Sequence, residues 1–83
     1  AIFFDMAKRL LQNFPNGSQA IFLCNPKEIS NLRGQKNENM MKLKKHFKLS
    51  EILIEGRQEL PRGCLGLQTQ EGEVSIHRNS LGF

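Results

Sequence analysis

At 83 residues the chain holds one small domain, and its 39 % apolar and 24 % charged content is that of a globular fold rather than a disordered chain. No apolar run approaches the roughly 20 residues needed to cross a bilayer, and Asp5, Lys8 and Arg9 interrupt the N-terminal segment where a signal peptide would be apolar. These features set the membrane and secreted classes aside and make the cytoplasm the expected location. The net charge of +4 is unevenly spread. Between Lys27 and Lys48 seven basic residues stand against two acids, a local balance of +5, and the rest of the chain sums to −1. A solvated face usually mixes signs, so this bias points to a surface that binds a polyanion.

Phe3, Met6, Ala7, Leu10 and Phe14 recur at helical spacing and predict an amphipathic helix over residues 2–14, ended by Pro15-Asn16-Gly17. The apolar, β-prone run Ala20-Ile21-Phe22-Leu23-Cys24 predicts a buried strand. Asn25 then reads as a helix N-cap, with Pro26 at the first helical position and Glu28 three residues after the cap, as in a capping box. Ile29 and Leu32 face the core of this short helix, and Gly34 ends it. Asn37 is the next candidate cap, with Glu38 favoured by the positive end of the helix dipole. The second helix buries Met40, Leu43 and Phe47, turns Lys42, Lys44, Lys45 and Lys48 outward, and leaves Met41 partly exposed. Residues 51–56 predict a second strand and 57–63 a loop. A hairpin follows, with Leu65, Leu67 and Thr69 on one face of residues 64–70, a turn at Glu71-Gly72, and Val74 and Ile76 alternating in 73–77. Residues 78–83 read as a loose tail.

Cys24 and Cys64 form no CxxC pair and have no second ligand at metal spacing, so they read as small hydrophobes in strands. A disulfide between them is the less favoured alternative. No cofactor or metal is expected. His46 and His77 have no Ser, Cys or carboxylate in triad order, and no phosphate-binding loop or dinucleotide fingerprint occurs, so no enzymatic activity is expected of this chain. It starts Ala-Ile-Phe-Phe rather than with Met, and reads as a piece of a longer protein.

The segment from Pro26 to Leu43 places Ile29 and Leu32 before Gly34, then the lysine-containing turn Gly34-Gln35-Lys36-Asn37, then Asn39, Met40 and Leu43. Set between two strands, this spacing resembles the KH domain, a module that binds single-stranded nucleic acid. Asn37 stands where the family's turn has its second glycine, Arg33 replaces an aliphatic residue, and the leading helix looks like the eukaryotic-type last helix moved to the front. The resemblance implies a small single-domain α+β fold. A strand–helix–turn–helix–strand unit would carry an N-terminal helix and a C-terminal β-hairpin, with a three-stranded sheet packed by helices. It also implies that the turn clamps the nucleic-acid backbone. Lysine, glycine and helix-start N–H groups suit phosphate.

The candidate binding residues are Lys27, Arg33, Gly34, Gln35, Lys36, Asn37, Asn39, Lys42 and Lys45, with bases over an apolar groove floored by Ile29 and residues 52–54. The expected partner is nucleic acid, single-stranded in preference, with other domains of a parent protein as further partners and no membrane. Two alternatives remain open. In a winged-helix reading, residues 38–48 form a recognition helix for double-stranded DNA, although Gln35 is polar where such turns bury an aliphatic residue. In the other, the chain is a protein-interaction or structural module of a larger enzyme.

Overall fold

Apolar periodicity decides each element. A computed structural model describes residues 2–13, 19–69 and 72–77. Helix α1 (Ile2–Asn13) buries Phe3, Met6, Ala7, Leu10 and Leu11, a single stripe at helical spacing. Strand β1 (Gln19–Cys24) is followed by a 3-10 turn (Pro26–Glu28), helix α2 (Ile29–Arg33), a second 3-10 turn (Gln35–Asn37) and helix α3 (Glu38–Phe47). Strands β2 (Glu51–Gly56), β3 (Cys64–Thr69) and β4 (Gly72–His77) complete the order. The expectations for Phe14, for residues 15–17 and for the tail from residue 78 fall outside the described residues.

The α+β architecture agrees with the sequence, but the sheet has four strands, in the order β2-β1-β3-β4, rather than three. The physical reason is that both strands of the hairpin extend the sheet. Strand β3 pairs antiparallel with β1 (Phe22 opposite Leu67), and β4 pairs antiparallel with β3. On the other side of β1, the chain passes through both short helices and returns as β2, parallel to β1 from Gln19 opposite Glu51 to Cys24 opposite Gly56. The expectations for Gln70 and Glu71 lie outside the described residues. Thr69 pairs with Gly72, so Gly72 opens β4 instead of sitting in the turn.

The register puts Ala20, Phe22, Cys24, Leu65 and Leu67 on one face with Ile52, Ile54, Val74 and Ile76, and all join the core. All three helices are on this face: α1 packs over β3 and β4, and α3 packs over β2. Leu32, Leu43 and Met40 fill the space beneath α2 and α3. On the opposite face Leu23 is buried against Gly66, where a Cβ would lie 3.2 Å from Leu23 Cβ and 3.3 Å from the Val74 carbonyl oxygen. Arg57, just after β2, binds Glu55, Glu59 and Glu73 and ties the end of β2 to β4.

Cys24 lies buried on the helix-covered face, and Cys64, half-buried, starts β3 on the other; both are free thiols. Among the described residues no three His, Cys, Asp or Glu side chains gather as metal ligands, and no helix is long and apolar enough to cross a membrane.

Candidate functional site

The basic segment is held by two polar anchors. Asn25 caps the first 3-10 turn as expected: its Oδ1 accepts the Lys27 N–H at 2.9 Å, and its Nδ2 donates to the Leu60 carbonyl at 3.0 Å. Glu28, read from the sequence as the acid of a capping box, is only 3 % exposed. Its carboxylate accepts the Gly63 N–H at 2.8 Å and the Asn31 amide at 2.9 Å, with the Arg62 guanidinium 3.6 Å away. A buried carboxylate needs such partners. Together Asn25 and Glu28 fasten the start of α2 to the loop between β2 and β3.

Between α2 and α3 the backbone turns through three residues at positive φ. Gly34 stands at φ 75°, ψ −179°, a conformation that a residue with a Cβ rarely enters. Lys36 (φ 55°, ψ 35°) and Asn37 (φ 60°, ψ 24°) are both left-handed, and the Asn37 N–H donates to the Gly34 carbonyl at 3.3 Å. Asn37 does stand at the N-cap of α3, but its side chain makes no capping bond. An N-cap side chain reaches its N–H from the extended region of φ/ψ, which Asn37 does not occupy. The Lys36 and Asn37 side chains are therefore exposed around a tight turn.

Asn39 requires a correction. The sequence placed it on the exposed face as a binding residue, yet it is only 8 % exposed. Its Nδ2 donates to the Leu32 carbonyl at 3.1 Å and lies 3.5 Å from that of Asn31. It occupies the space behind Gly34, where an added Cβ would lie 2.8 Å from Asn39 Nδ2. Asn39 holds the end of α2 and shapes the turn from inside.

The electrostatics sharpen the local charge. Of the segment's two acids, Glu28 is buried and bound. Glu38 pairs with Lys42 at 2.9 Å, and that hydrogen bond and charge hold its carboxyl below its ordinary value. Lys42 also lies 6.0 Å from the Phe4 ring. Lys27, Arg33, Lys36, Lys44, Lys45 and Lys48 are all exposed, so the surface around the turn is strongly cationic.

Arg33 and Asn37 sit where two cavities meet. One, of about 500 Å³, is lined with them by Pro26, Ile29, Ser30, Gly34 and Lys36. The other, of about 540 Å³, is lined with them by Met40, Met41, Lys44, Ile52, Leu53 and Ile54. A third, of about 520 Å³, continues past Lys36 along Gln35, Glu38, Met41 and Lys42. The result is a trough with an apolar wall and a cationic rim. Of the residues predicted as a site, Arg33, Gly34, Gln35, Lys36, Asn37 and Lys42 line it, Lys27 and Lys45 are exposed outside these linings, and Asn39 lies behind it. Sequence reasoning left out Met40, Met41 and Lys44 from the site. The helical spacing of 37, 40, 41 and 44 is the signal that unites them.

The hairpin of β3 and β4 packs under α1, and β4 forms the sheet edge opposite β2.

Protein-family models, curated proteins and solved structures were each searched, and none matches the chain.

Proposed function

We propose that the chain is a nucleic-acid-binding module that takes a short single-stranded segment of RNA or DNA across the turn Gly34-Gln35-Lys36-Asn37. The observation that carries this reading is the trough, whose cationic rim (Arg33, Lys36, Lys44) adjoins an apolar wall (Met40, Met41, Ile52, Leu53, Ile54). Phosphates lie on the rim, where the positive end of α3 adds to the side-chain charge. Bases lie on the wall, whose aliphatic and thioether side chains accept them without Trp or Tyr. Two features favour single strands over duplex. Helix α3 packs over β2, at the sheet edge opposite β4, and its exposed face is rich in lysine (Lys42, Lys44, Lys45), which neutralises phosphate without the Arg, Asn and Gln that read base edges.

Fluorescence anisotropy with a labelled ten-nucleotide strand tests the proposal. Three phosphate contacts give a log–log salt slope of about −2, so affinity falls about twenty-fold between 50 and 200 mM salt. Replacing Gln35 and Lys36 together by Asp abolishes binding while the circular dichroism spectrum stays native. Absence of binding up to about 1 mM protein ends the nucleic-acid reading. Unchanged affinity of the double-Asp variant, with duplex binding lost on replacing Lys42, Lys44 and Lys45, transfers the site to the outer face of α3.

A further inference from the structure

Strand β2 ends the sheet on its side, and among the described residues nothing pairs with its outer edge. Ile52 and Ile54 point to the helix-covered face and Leu53 to the other, yet all three line the same cavity of about 540 Å³. The cavity therefore lies against three consecutive residues of this outer strand. Its far wall is formed by Arg33, Asn37, Met40, Met41 and Lys44. Leu53 remains 43 % exposed, one of two large apolar side chains that are exposed among the described residues. An open edge of this kind templates the pairing of another strand.

The charges on the edge select the occupant. Glu51-Ile52-Leu53-Ile54-Glu55 reads the same in both directions. Antiparallel pairing with a second copy about Leu53 sets Glu51 against Glu55 twice, and in-register parallel pairing sets each glutamate against its own copy. Like charges directly opposite destabilise a pair of strands, so the edge works against self-association. A strand that places cations opposite these glutamates gains instead. Glu55 already binds Arg57, so Glu51 carries the larger share of this preference.

We infer that the outer edge of β2 accepts an extended segment of a partner protein by strand addition, with alternate residues apolar toward Ile52 and Ile54 and basic toward Glu51 and Glu55. Main-chain hydrogen bonds supply affinity, and the alternation supplies specificity. The edge shares Ile52, Leu53 and Ile54, and the nearby cations Arg33 and Lys44, with the proposed nucleic-acid trough, so the two ligands exclude each other, but failure of the nucleic-acid reading leaves the strand edge intact.

The test uses the ¹⁵N-labelled 83-residue chain and two capped seven-residue peptides, one alternating Lys and Val and the other Glu and Val. With the Lys peptide near saturation, hydrogen exchange slows about ten-fold or more at alternate amides of β2. Glu51→Lys weakens the Lys peptide by about two- to five-fold and strengthens the Glu peptide. Three results overturn the inference: no slowing in β2, slowing at the β4 edge instead, or equal affinity for the two peptides.

Discussion

Alanine at Gly34 meets two separate obstacles. The backbone stands at φ 75°, ψ −179°, which a residue with a Cβ enters at a cost of order 1–3 kcal/mol. The new Cβ would also lie 2.8 Å from Nδ2 and 2.9 Å from Cγ of Asn39, which is buried and anchored on the Leu32 carbonyl. Asn39→Ala removes that obstruction but leaves the carbonyl without its donor, at about 1–3 kcal/mol. The double variant keeps the backbone strain and the lost hydrogen bond but not the collision. It is therefore less destabilised than the sum of the single variants, with a coupling of about 1 kcal/mol or more. For a domain of this size 1 kcal/mol moves Tm by about 4–8 °C, so thermal unfolding of the four proteins resolves the cycle. Additivity within about 0.3–0.5 kcal/mol would refute the idea that Asn39 shapes the turn through Gly34.

Lys36→Gly relieves a left-handed lysine, so stability holds or rises by up to about 1 kcal/mol. Oligonucleotide affinity falls in the same variant and the salt slope shrinks by about 0.7; unchanged affinity refutes a phosphate role for Lys36. The Cys24 thiol is pushed up, chiefly by burial and further by the Glu28 carboxylate, with Arg33 opposing. The folded thiol then keeps its proton at pH values where the unfolded one has lost it, so stability is present below the ordinary value of 9.0 and declines as pH rises through it. Urea unfolding at pH 7 and pH 10 shows this decline flattened in Cys24→Ala but not in Cys64→Ala; equal slopes in both variants refute the assignment. Ellman's reagent labels half-buried Cys64 before Cys24.

What was legible in the sequence was local. Asn25 and Pro26 mark a helix start within three residues, Gly34 marks an end, and the 51–56 strand is bounded as its pattern implies. What was not legible depends on distant partners. Glu28 looks like a capping acid until Gly63, 35 residues away, brings its N–H to the carboxylate. Asn39 looks exposed because it is polar and follows Lys36, Asn37 and Glu38, while the groups it serves are carbonyls of the preceding helix. All four strands were read from the sequence, but not that they join in one sheet, because pairing partners, unlike apolar alternation, are not encoded within a single strand. The binding segment was found from its charge, whereas the apolar wall required knowing that β2 returns beside α3.

Chemical-shift mapping of the ¹⁵N-labelled chain with matched single- and double-stranded oligonucleotides tests the central claim most directly. The account predicts that the single strand shifts Arg33, Gly34, Lys36 and Asn37 together with Met41 and residues 52–54, and that the duplex has little effect. Shifts confined to the outer face of α3 with duplex alone, or none with either ligand, would contradict it.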